Sequence, residues 1–114
     1  MKEIKAVIQP SRLARVREEF RKLPGFPGMT VSRAEGSGYH PNKPLPKGVG
    51  SELTDYSQKV RIEIVAPSEM AERLVSIIRD CCHTGQAGDG IVWVTPVERL
   101  QRIRLRDVDD GAKQ

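Results

Sequence analysis

The sequence predicts an α+β sandwich: a four-stranded antiparallel sheet with two helices on one face, in the order β-α-β-β-α-β. Three observations predict it. A motif recurs, with "IQPSRLAR" (8–15) aligning with "VAPSEMAE" (65–72) at an offset of 57. Each copy follows an apolar strand-like run, "IKAVI" (4–8) or "VRIEIV" (60–65). Each copy also precedes apolar residues at helical spacing, so the chain divides into two similar βαβ halves. This is the split βαβ, or ferredoxin-like, arrangement.

Taken in order, strand one covers 4–8, and Pro10 with Ser11 as a candidate N-cap starts a helix over about 11–23. Leu13, Val16, Phe20 and Leu23 form its apolar stripe, and "LPGFPG" breaks it. Strand two is "MTVSRAE" (29–35) and strand three 60–65. The second helix runs over 68–82, with Ala71, Leu74, Ile78 and Cys81 as its stripe, Val75 and Ile77 flanking, and "TGQAGDG" ending it. Strand four is "IVWVTP" (91–96), and the alternating "RLQRIRL" (99–105) predicts a short extra strand. Val7 opposes Ile4, Ala6 and Ile8, and Val65 opposes Ile62 and Ile64. Apolar residues on both sides of these strands predict a second buried face, hence an oligomer.

At 114 residues, one domain spanning 1–114 is expected. Apolar content of 38% and charged content of 30% fit a globular chain. No apolar run approaches the ~20 residues of a spanning helix, and "MKEIKAVIQP" lacks a signal peptide's apolar stretch, so a cytoplasmic protein is expected. The net charge of +4 suits an anionic partner, although a mildly basic surface also serves solubility. Cys81 and Cys82 are adjacent, which argues against a disulfide framework. A small buried apolar role suits Cys81 better than a metal site with His83.

Between strands two and three, residues 36–58 hold three prolines and four glycines without periodicity. So long a loop in so small a domain predicts a flexible arm over 37–58 that orders on a partner. The tail 107–114 reads as solvated and frayed.

Three short motifs suggest anion binding. In "TGQAGDG", glycines let backbone N–H groups converge on a phosphate, although a helix cap and turn explains the same residues. Arg102 and Arg104, two apart on a strand, would send both guanidiniums to one face, which an exposed strand face also explains. "GSG" (36–38) marks the mouth of the loop or a bulge at the strand end. Together they make a phosphate cleft, provided that strand ends meet across a subunit boundary.

The chain resembles the PII signal-transduction proteins along nearly its whole length. The matching segments are "MKEIKAVIQP", "GMTV" (28–31), "GSG", "KVRIEIV" (59–65), "TGQAGDG" (84–90) and "RIR" (102–104), in order and spacing. The resemblance implies a homotrimer of ferredoxin-like subunits that binds adenine nucleotides in inter-subunit clefts and docks its long loop onto a protein partner, with no enzymatic role. Carried over by position, Gly36, Ser37 and Gly38 would line the cleft, and Gly88, Asp89 and Gly90 would hold phosphates by backbone. Arg102 and Arg104 would reach phosphates, while Gly28, Met29, Thr30, Glu63 and Val65 would surround base and ribose. Lys59 would stand at the far foot of the loop.

There are departures from the family pattern. His40 replaces a glutamine that helps bind Mg-ATP and 2-oxoglutarate, and Ile91 replaces a phosphate-binding lysine. The resemblance therefore implies ADP or AMP before ATP, and puts Mg and 2-oxoglutarate in doubt. Glu52 stands where some members carry a uridylylated tyrosine, which Tyr39 and Tyr56 do not replace. One extra residue in "LPGFPG" and the altered loop resemble the divergent members that accompany heavy-metal efflux pumps, which makes a membrane transporter the implied partner. His40 itself could contact phosphate or a metal, or be a solvated loop histidine.

Two other classes compete. RNA-recognition domains share the strand order and a basic surface, but they stack bases on sheet aromatics that the central strands lack, so no nucleic-acid partner is expected. A metal-responsive trimer would draw on His40 and "CCH", which supply few ligands. No nucleophile–base or paired-carboxylate constellation suggests an enzyme.

Overall fold

The computed structural model describes residues 1–37 and 57–105. Gly38, His40 and nearly all of the expected docking arm lie outside the described residues, as does the tail. The four strands are β1 (Lys2–Ile8), β2 (Thr30–Gly36), β3 (Ser57–Ala66) and β4 (Gly90–Pro96). The helices are α1 (Leu13–Arg21) and α2 (Ala71–Cys82). The sheet order is β2-β3-β1-β4, with every neighbouring pair antiparallel. This is the expected ferredoxin-like sandwich.

The two halves are related by an offset of 58, not the 57 of the sequence motif. Ile4, Ala6 and Ile8 are buried, and so are their counterparts Ile62, Ile64 and Ala66. Val16 and Phe20 of α1 correspond likewise to Leu74 and Ile78 of α2, all buried. A slip of one residue along a strand exchanges its two faces, so the 57-residue alignment would have matched buried Ile8 with half-buried Val65 on the opposite face. The Pro-Ser pair is displaced by one step: Pro10 lies inside the first 3₁₀ turn (Pro10–Arg12), whereas Pro67 precedes the second (Ser68–Met70).

Those turns correct the expected helix starts. The α-helices begin at Leu13 and Ala71, and neither Ser11 nor Ser68 caps them. Instead Arg12 N–H donates to the Gln9 carbonyl and Met70 N–H to the Pro67 carbonyl, each at 3.0 Å. Past α1, the break is braced by Phe26 stacked on Phe20 with ring centroids 4.6 Å apart.

The core lies between the helices and one sheet face, and both Cys81 and Cys82 belong to it. Burial pushes both thiols up, Cys82 to about 11. On the opposite face the antiparallel register sets Trp93, Lys5, Glu63 and Thr30 in one row, and Ile91, Val7, Arg61 and Ser32 in the next. No described element covers this face, where Ile91 is 64% and Trp93 38% exposed.

The extra strand expected over 99–105 does not form in the single chain. An isolated bridge at Leu100 is its only described β pairing, and a turn follows in which Leu105 N–H donates to the Arg102 carbonyl. The alternation of "RLQRIRL" yields one bridge rather than a ladder, so periodicity alone does not make a strand here. No described helix is long and apolar enough to cross a membrane.

Candidate functional site

The strand ends place one cluster of expected residues together. Register pairs Ile8 with Gly90 and with Val60, and Gly36 with Ser57, so these ends lie on one side of the sheet. The loop from α2 to β4 folds over that side. Lys59 donates to the Gly88 carbonyl at 3.1 Å, and Gln9 Nε2 donates to the same oxygen at 2.7 Å. A Cβ added to Gly36 would lie 3.3 Å from Lys59 Cγ. Gly36, Lys59 and Gly88 thus meet, joining the foot of the long loop to the glycine loop.

The glycine loop owes its shape to Asp89 rather than to glycine alone. The Asp89 carboxylate accepts Thr84 N–H at 2.7 Å, Gly85 N–H at 2.9 Å and the Thr84 hydroxyl. The Thr84 hydroxyl and then the backbone bonds hold its carboxyl below the usual aspartate value. His83 Nδ1 stands 3.9 Å away. The Asp89 side chain is therefore spent on the loop itself. The N–H groups of Ala87 and Gly88 have no acceptor among the described residues. With the Lys59 ammonium beside them, they are donors suited to an anion.

Gly90 has a separate reason to be glycine. Its φ is +111°, and an added Cβ would overlap the Val7 carbonyl and lie 3.1 Å from Ile8 Cα. Close strand pairing thus explains Gly90 without a phosphate. A recess of about 280 Å³ on the helix side of the loop, walled by Ile8, Ile78, Cys82 and Val92 with Arg79, His83 and Asp89 at its edge, does not include Gly36, Lys59 or Gly88.

The other expected residues lie elsewhere. Thr30 pairs directly with Glu63, and both share the open sheet face with Val65. Met29 points the other way and packs against the core. Gly28 is exposed, with open space around it. Arg102 and Arg104 follow the far end of β4, where Pro96 pairs with Lys2. Seven residues of strand, about 20 Å, separate that end from Gly90. Since 102–105 is a turn, the strand rule that aimed both guanidiniums together does not apply. Among the described residues, no three His, Cys, Asp or Glu side chains are placed to hold a metal.

A family model for nitrogen regulatory protein P-II matches residues 1–107. The chain belongs to the P-II family. It is 38% identical over 104 residues to a nitrogen regulatory protein P-II of Azospirillum brasilense, covering 91% of this chain and 92% of that one. It is 37% identical over 112 residues to nitrogen regulatory protein P-II 1 of Escherichia coli K12, covering 98% and 99%. A P-II protein of Rhizobium meliloti matches at 36% over 104 residues. The likeness spans both halves of the sandwich and the loop between them, so the chain is a P-II family signalling protein rather than a ferredoxin-like domain of another class.

Within this P-II fold, the sequence reading missed two contributors, Gln9 and Thr84. Thr84 could have been found, because a Thr five residues before an Asp across glycines suits a side-chain-closed turn. Gln9 could not, since its partner lies 79 residues away.

Proposed function

We propose that this P-II family protein is a homotrimer that binds an adenine nucleotide in each inter-subunit cleft and regulates a protein partner through residues 37–58. The observation that carries the reading is the division of the site residues. Lys59, Gly36 and the glycine-loop N–H groups without an acceptor among the described residues gather at one end of the sheet, while the segment carrying Arg102 and Arg104 follows the other end of β4. A phosphate chain gripped by both groups needs a second copy to bring the arginines across. The uncovered face with Ile91 and Trp93 gives that copy an apolar surface to bury.

ADP or AMP is the preferred effector. Ile91 supplies no ammonium for a terminal phosphate, and 64% of its surface is open. In this reading Thr30, Glu63 and Val65, which share the open face, meet base and ribose from the subunit that presents them. Nucleotide occupancy at the foot of the long loop biases that loop between free and docked states by differential affinity. The docked partner is a membrane transporter, and the protein acts from the cytoplasm.

Calorimetry with ADP, AMP and ATP, with and without Mg²⁺ and 2-oxoglutarate, tests this. Saturable binding of ADP or AMP, lost in the R102A/R104A double variant, is expected. Absence of adenine nucleotide binding to the folded wild-type protein would overturn it.

A further inference from the structure

We propose that Gln9 is a positioning residue for the glycine loop: it holds the Gly88 carbonyl in place when the Lys59 ammonium turns to a bound anion. This rests on the nucleotide reading of the same loop. The Gly88 oxygen accepts two side-chain donors, neutral Gln9 Nε2 at 2.7 Å and cationic Lys59 Nζ at 3.1 Å, both in part-buried surroundings. A carbonyl oxygen has capacity for both. The two donors differ in what else they can do. An ammonium is drawn to a phosphate much more strongly than to a neutral carbonyl, so Lys59 leaves Gly88 when an anion arrives. A carboxamide carries no charge to lose, so Gln9 stays. Without it, the departure of Lys59 would leave a part-buried carbonyl without a partner, a penalty charged against binding.

The latch matters because Gly88 does not fix its own orientation. Its φ is +102°, a conformation glycine adopts without strain, and the only other tie on its peptide plane among the described residues is a long 3.4 Å bond from Asp89 N–H to the Gln86 carbonyl. The Gly88 carbonyl shares a peptide plane with Asp89 N–H, and Asp89 ties down Thr84 and Gly85. Holding that plane therefore holds the loop. Gln9 is itself well anchored. It follows Ile8, which pairs with both Val60 and Gly90. It precedes Pro10, which restricts its backbone to the extended φ −66°, ψ 136°. Its carbonyl accepts Arg12 N–H at 3.0 Å.

The test is ADP titration of the wild-type protein, Gln9→Met, Lys59→Met and the double variant, read by the amide resonance of Asp89 and by affinity. Gln9→Met keeps side-chain length without the donor. It should weaken ADP binding about threefold to tenfold, the worth of one neutral hydrogen bond, and shift the Asp89 amide in the unliganded protein. With Lys59→Met no ammonium departs on binding, so adding Gln9→Met should then change affinity less than about twofold. A general packing defect would weaken both backgrounds equally, and that result overturns the proposal. So does Gln9→Met binding ADP as the wild type does. Gln9→Asn, which keeps the amide but withdraws it by one methylene, should reproduce the loss; wild-type affinity in that variant also counts against the latch. A wild-type protein that binds no ADP refutes the nucleotide reading instead.

Discussion

At the scale of single residues, the two glycines at the ends of the "GDG" step differ in kind. Gly90 combines φ +111° with a strand approach that leaves no room for a Cβ. Gly90→Ala should therefore destabilise the fold by about 2–4 kcal/mol, measured by urea unfolding, because strain and overlap add. Gly88 has a positive φ but its nearest neighbours are side-chain ends, so Gly88→Ala should cost about 1 kcal/mol of stability and act mainly on the loop. Asp89 adds a pH dependence. Its folded pKa is lowered, first by the Thr84 hydroxyl. Its contribution is thus fully present above the ordinary value of 3.8 and is lost as pH falls through the lower folded value. Amide protection at Thr84 and Gly85 should persist at neutral pH and disappear on acidification. Asp89→Asn should lose it at neutral pH.

At the scale of elements, α2 holds the sandwich together. Leu74 is fully buried, and Leu74→Ala should cost about 2–5 kcal/mol in chemical unfolding. Cys81 and Cys82 are buried beside it with raised pKa values. A raised thiol pKa favours the protonated folded state, so stability should fall as pH rises above the ordinary thiol value of 9.0 toward the folded value of about 11 for Cys82. Both thiols should resist iodoacetamide in the folded protein at neutral pH and react on unfolding. The strands and helices of the sandwich were legible in the sequence from apolar runs such as "IKAVI" and "IVWVTP" bounded by turn residues, and from a repeat near 3.6 between Leu74 and Cys81. What was not legible has physical reasons. The 3₁₀ turns replaced serine caps because Pro10 and Pro67 set the local backbone first. The true offset of 58 was hidden by a Pro-Ser match that resembles a register but does not set one. The extra strand failed because alternation in "RLQRIRL" specifies a face, not a partner.

At the scale of the whole molecule, the site is legible only in halves. Gly36, Lys59 and Gly88 converge in one chain, where the motifs had suggested a meeting across a subunit boundary. No described contact joins Arg102 or Arg104 to them, and their segment follows the far end of β4, which the proximity of two arginines in sequence does not reveal. Assembly decides whether the halves meet. Trp93 stands on the uncovered face, and for the trimer proposed above the Trp93→Glu variant should sediment as monomer at concentrations where the wild-type protein sediments as trimer. Loss of assembly should remove nucleotide binding although Lys59 and the glycine loop remain intact.

Subunit mixing tests the two-subunit site most directly. Lys59→Ala and R102A/R104A proteins are each titrated with ADP by calorimetry, then unfolded together, refolded and titrated again. Each protein alone should bind ADP weakly. The mixture should recover wild-type affinity at about a quarter of its clefts, those that draw the lysine from one chain and both arginines from its neighbour. A mixture that binds no better than its components would contradict a site shared between subunits.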